Sequence, residues 1–152
     1  MRRTKPRAAA ILIQDNHVAL LERHRQGLHY FAFPGGGVSK GETPQAAAVR
    51  EVEEELGLLI EVERLVAEVW YEGVPQYFYL ARILGGEFGS GHGREMSSLP
   101  DSEQGSYHPT WLPLAELLDQ PVLPQPVARL VHSAVTQGWS DQPLVLREAV
   151  PD

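Results

Sequence analysis

Apolar residues in this chain fall into short runs, and the spacing within each run predicts an element. Ala8 to Gln14 and Val18 to Leu21 are apolar runs separated by Asp15-Asn16-His17, a turn-forming insert, so they read as an antiparallel pair of core strands. Tyr30 to Phe33 is a short aromatic strand that stops at Pro34. Gly35-Gly36-Gly37 then offers backbone free to take positive φ, which suits a tight functional loop. From Pro44 to Leu56 the residues Ala46, Ala47, Val49, Val52 and Leu56 recur at helical spacing. Thr43 is placed to cap this helix, Pro44 suits its first position and Gly57 ends it. Leu58 to Trp70 and Gln76 to Ile83 are rich in β-branched, aromatic and aliphatic residues and predict long paired strands, with a turn around Glu72-Gly73-Val74-Pro75. Gly85 to His108 is glycine-rich and polar with little periodicity, the pattern of a long loop that is either an active-site lid or mobile. Thr110 to Leu112 predicts a last short strand ended by Pro113, and Leu114 to Leu118 a helical turn. Gln125 to Gln137 predicts a helix with Val127, Leu130, Val131 and Ala134 on one face. Strands interleaved with helices, joined by hairpins and crossovers, predict an α/β sandwich around a mixed β-sheet.

Composition narrows the classes. With 152 residues, 43% hydrophobic and 22% charged, the chain is expected to form a single domain over residues 1–152. The absence of cysteine excludes a disulfide framework, a thiolate nucleophile and a cysteine zinc site. Arg2, Arg3, Lys5 and Arg7 read as a basic lead-in to a strand, because the apolar run after them is too short for a signal-peptide core. No segment reaches the roughly 18 apolar residues of a membrane span, so a cytoplasmic protein is expected. A net charge of −7 argues against adhesion to long nucleic acid or anionic membrane. An acidic protein can still hold phosphates if metal ions stand between the like charges.

Residues 36–58 carry candidate chemistry of that kind. They read GGVSKGETPQAAAVREVEEELGL. On a helix, Glu51 and Glu54 are at i,i+3 and Glu51 and Glu55 at i,i+4, so three carboxylates share one face. They repel one another and lie toward the negative end of the helix dipole, costs that a divalent cation removes. Hard Mg²⁺ takes oxygen ligands and keeps water or phosphate oxygens in its shell, which suits an acidic face beside a glycine loop.

This stretch resembles the Nudix box, GX₅EX₇REUXEEXGU with U a bulky aliphatic. Gly36, Glu42, Arg50, Glu51, Val52, Glu54, Glu55, Gly57 and Leu58 meet its specified positions. Chance would produce such a match with a probability of roughly 10⁻⁷ or less at ordinary residue frequencies. Ser39 stands where family members often carry an acid, outside the specified pattern. The resemblance implies a Nudix-type α/β/α sandwich and hydrolysis of a phosphoanhydride bond in a nucleoside diphosphate linked to another moiety. Implied substrates are small nucleotides such as a (d)NTP, ADP-ribose or a nucleotide sugar. It implies Mg²⁺, with Mn²⁺ as a substitute, held by Glu51, Glu54 and Glu55 and often by the Gly35 carbonyl. Gly36, Glu42, Arg50 and Gly57 are implied to support the loop and helix. The water-activating acid varies in the family: Glu51 and Glu54 are candidates in the box, and Glu95 and Glu103 on the long loop after it, with Glu103 preferred as nearer to Trp111. Family members are often dimers, so a homodimer is among the arrangements implied.

Weaker signals lie outside the box. Arg23 and Arg25 alternate on an extension of the second strand and could point together at a phosphate, although solvated surface arginines give the same pattern. Trp70, Tyr71, Tyr77, Phe78 and Tyr79 offer flat faces for a base, with core packing the better reading for most. The six histidines show no metal-ligand spacing along the chain and read as surface or core residues. The alternative function is a non-catalytic nucleotide sensor of the same fold, which the intact acid set disfavours. An isomerase acting on a prenyl diphosphate would be expected to use a cysteine, which the chain lacks.

Overall fold

A computed structural model describes residues 5–91 and 105–147. The chain forms β1 (Arg7–Ile11), β2 (Ile13–Gln14), β3 (His17–Arg25), β4 (Leu28–Ala32), β5 (Gly35–Gly37), α1 (Pro44–Leu56), β6 (Leu58–Tyr71), β7 (Val74–Gly86), β8 (Ser106–Pro113), a 3₁₀ turn (Leu114–Glu116), β9 (Val122–Leu123), α2 (Gln125–Gln137) and β10 (Leu144–Leu146). The strands make two mixed sheets. One runs β10-β6-β7-β1-β5, and the other β2-β3-β4-β9 with β8 also paired to β3. Pairing is parallel between β1 and β7, between β6 and β10 and between β4 and β9, and antiparallel elsewhere.

β1 explains why the helices sit where they do. Both of its edges are paired, and its side chains alternate between two cores. Ala10, with Leu12 just beyond the strand, joins Ala19 and Leu21 of β3 and Val52 and Leu56 of α1. Ala9 and Ile11 join Val18 and Leu20 of β3 and Val127 and Val131 of α2. A strand buried on both faces reads as a continuous apolar run, as Ala8 to Leu12 does. The two helices therefore cover opposite faces, which makes the α/β/α sandwich.

The run Ala8 to Gln14 is divided rather than one strand. With both edges of β1 taken, the chain passes to the second sheet at Leu12, whose carbonyl accepts from Ala19 N–H at 3.0 Å. Only Ile13 and Gln14 pair with His17 and Val18, across a two-residue turn in which Asp15 and Asn16 have φ of 52° and 62°. A similar turn at Glu72 and Gly73 joins β6 to β7.

Both helices take the bounds that the periodicity predicts. Thr43 caps α1, its side chain accepting from Ala46 N–H, and Gly57 ends it with φ 76°. The buried stripe of α1 is slightly rotated from the predicted one: Ala48 is buried and Ala46 is exposed. This rotation carries Glu55 into the interior beside Leu56. β9 and β10 have no counterpart in the sequence reading. No helix among the described residues is long and apolar enough to cross a membrane.

Candidate active site

The glycines at 35–37 form a strand, not the positive-φ loop expected. β5 runs antiparallel to β1 with Ala9 opposite Gly35 and Ala8 opposite Gly36, and none of the three glycines has positive φ. Gly35 and Gly36 are needed for close approach. A Cβ on Gly35 would collide with the Ala8 carbonyl oxygen and Ala9 Cα, and one on Gly36 would occupy the place of the Glu51 carboxylate. Gly36 thus lays bare backbone against an acid of α1.

Around this contact the structure gathers Glu42, Glu51, Glu54 and Glu55. Glu55 is 4% exposed, and its Oε1 accepts from Gly35 N–H at 2.9 Å. Arg50 sits among the others. Its Nε and Nη2 donate to the two oxygens of Glu42 at 2.9 and 3.0 Å, a bidentate pair, and Nη2 also donates to the Gly37 carbonyl at 3.0 Å. Nη1 donates to Glu51 at 3.0 Å and to Glu54 at 3.3 Å. One guanidinium therefore ties the loop acid to two helix acids and to β5.

Electrostatics follow from this arrangement. The Arg50 guanidinium, and secondly Ser39 N–H, hold the Glu42 carboxyl down at about 2. The same hydrogen bond to Glu42 pushes Arg50 above the usual guanidinium range. Glu42, Glu51, Glu54 and Glu55 outnumber this one cation, so the cluster keeps a formal negative excess that a divalent metal ion would largely offset. The fit to such an ion rests on the donor set: hard carboxylate oxygens on one helix, with the Cβ-free backbone of Gly35 and Gly36 against them.

Of the other candidates, Arg23 and Arg25 project from β3 on the same side as Ala19 and Leu21, the side on which α1 packs. The Arg23 guanidinium lies 3.6 Å from the Tyr107 ring centroid and 5.7 Å from that of Tyr30. Glu95 and Glu103 lie outside the described residues. Phe78 and Tyr79 are buried, with Phe78 edge-on to Phe33, so they belong to the core. Two groupings of side chains have no signal in the spacing along the chain. Phe88 stacks on Trp111 at 4.9 Å beside the α1-side core. Glu22, His24 and His29 meet across the β3–β4 hairpin, where strand pairing rather than chain spacing is the signal.

Comparison with known proteins agrees with this architecture. The family model described as the NUDIX domain matches residues 4–132. The RNA pyrophosphohydrolase of Psychromonas ingrahamii is 44% identical over 57 residues, 38% of this chain and 32% of that protein; the match thus spans about a third of the relative's length. A MutT NUDIX hydrolase from Burkholderia pseudomallei superposes with a TM-score of 0.60 at 26% identity, covering 84% of this chain and 96% of that one. An ADP-ribose pyrophosphatase from Streptococcus suis gives a TM-score of 0.64 at 23% identity, covering 95% and 98% respectively, a likeness of fold.

Proposed function

Because this chain belongs to the Nudix hydrolase family, a family generally dependent on divalent metals, we propose that it hydrolyses a phosphoanhydride bond in a small nucleoside diphosphate derivative with Mg²⁺ as cofactor. The observation that carries this reading is the contact of bare Gly36 backbone with Glu51 inside the Arg50-tied cluster of carboxylates. Glu51, Glu54 and Glu55 hold the metal together with the Gly35 backbone, and Mn²⁺ substitutes. When bound, the metal supplies charge neutralisation for the diphosphate and acidifies water.

The chain's own groups do the rest. Arg50 aligns Glu51 and Glu54 and fastens them to the Glu42 loop. An acid among Glu51, Glu54 and Glu103 takes a proton from the attacking water. The oxygen of that water bonds to phosphorus as the bridging anhydride oxygen leaves with the electron pair of the broken bond. Arg23 and Arg25, on the α1 side of β3, offer positive charge for a substrate phosphate. The chain acts as one domain.

A release screen tests the proposal, using (d)NTPs, ADP-ribose, nucleotide sugars, dinucleoside polyphosphates and a triphosphorylated RNA, the last because one relative is an RNA pyrophosphohydrolase. Mg²⁺-dependent release from a small nucleotide, abolished by EDTA, is expected. Folded protein that binds Mg²⁺ and releases nothing would favour a nucleotide sensor instead, and release from RNA alone would overturn the small-substrate assignment.

A further inference from the structure

The face of β3 and β4 remote from α1 carries a second constellation of ligating side chains. Glu22 and His24 are alternate residues of β3, on the same side as Val18 and Leu20. The turn at Gln26 and Gly27, with φ of 51° and 81°, sets the hairpin register so that His29 stands directly opposite His24 and Phe31 opposite Glu22. Directly paired residues of an antiparallel hairpin have Cβ atoms about 4.5–5.5 Å apart. All three polar side chains are therefore brought to one patch by backbone pairing alone.

Their donor atoms converge. One ligand atom from each of Glu22, His24 and His29 lies within 4.8 Å of the other two. His29 Nε2 is 2.7 Å from Glu22 Oε2, and His24 Nε2 is 3.6 Å from the same oxygen. Tetrahedral zinc with metal–nitrogen distances of about 2.0–2.1 Å needs its donors about 3.3 Å apart, a value between these two. The imidazoles stack at 4.5 Å with 12° between their planes, and His29 rests edge-on against the buried Phe31. Small rotations of exposed rings separate the present contacts enough to admit an ion. All three side chains keep solvent access, with exposures of 31% for Glu22, 46% for His24 and 42% for His29.

We propose that Glu22, His24 and His29 form a binding site for a divalent transition-metal ion of the zinc or copper class, with at least one coordination position left to water. Imidazole suits these ions and not Mg²⁺, which takes oxygen donors. The patch is thus chemically separate from the carboxylate cluster on α1. Bound metal would staple the two strands of the hairpin next to its turn. The site stands apart from the proposed hydrolase activity, since it invokes none of its residues.

Copper is a convenient probe because its electron paramagnetic resonance shows coordinated nitrogen. The whole chain, freed of metal and titrated with Cu²⁺, is expected to bind with nitrogen hyperfine structure, and prior loading with excess Zn²⁺ should reduce the apparent Cu²⁺ affinity, since the two ions compete for one site and copper is the tighter binder. His24→Gln with His29→Gln should weaken Cu²⁺ binding at least about 10-fold and remove the nitrogen lines, with circular dichroism unchanged. Glu22→Gln, which leaves both imidazoles in place, should also weaken binding and serves if the double variant does not fold. Oxygen-only coordination in the unsubstituted chain would overturn the proposal, as would undiminished nitrogen-coordinated binding in these variants.

Discussion

Glycine at position 36 is required by its neighbour's carboxylate, not by its own dihedral angles. Gly36→Ala is expected to displace Glu51 and reduce turnover by about 100-fold, the usual consequence of misplacing a reacting group by about 1 Å. At Gly37 a Cβ would meet only the far end of the flexible Lys5 side chain, so Gly37→Ala should retain most activity. Steady-state kinetics on both variants checks this contrast. Glu42 supports a second prediction, of sign as well as size. Its carboxyl is held at about 2 against an ordinary 4.5, so its bond to Arg50 stabilises the fold fully above about pH 4.5 and loses that contribution as pH falls through 2. Glu42→Gln should therefore lower the melting temperature near neutrality, and the gap from the unsubstituted chain should close as the pH is taken down to about 2. The acids were legible in the sequence because i,i+3 and i,i+4 spacing fixes a helix face. A supporting role for Glu42 and Arg50 came only with the family resemblance, and the partners of Arg50 were not legible, because Glu42 and Gly37 reach it through a loop and a strand whose course the spacing does not give.

At the scale of elements, local signals succeeded where an element is defined by its own residues. Thr43, Pro44 and Gly57 mark the ends of α1, and their chemistry is the same in the folded chain as in the sequence. Thr43→Ala removes the side-chain acceptor for Ala46 N–H and is expected to cost about 1 kcal/mol in urea unfolding. Elements decided by pairing across the molecule leave no such local mark. β5 is three glycines, with no side chain to indicate a strand, and exists because Ala8 and Ala9 of β1 stand opposite it. β9 and β10 are too short for any alternation to show. The gathering of Glu22, His24 and His29 belongs here too, since only the hairpin register brings His24 and His29 opposite one another.

For the whole molecule, the sequence indicated an α/β sandwich from its mixture of hairpins and crossovers, and left the division into two sheets unseen. That division turns on a single crossing at Leu12, which no local propensity marks. Its effect is to put α1, β5 and the outward end of β3 on one side, so that carboxylates, bare glycine backbone and the β3 arginines share a side of the fold. The net charge of −7 also fits an account in which cations mediate contact with phosphates. The most direct test of that account is turnover by Glu55→Gln, measured with Mg²⁺ on whichever nucleotide the unsubstituted chain hydrolyses. The amide oxygen of glutamine can still accept from Gly35 N–H, so the fold should persist while the negative charge is lost. A fall of more than about 100-fold in kcat with an unchanged circular dichroism spectrum is the predicted result. Turnover equal to that of the unsubstituted chain would contradict the assignment of the α1 carboxylates as the metal-holding centre of a hydrolase.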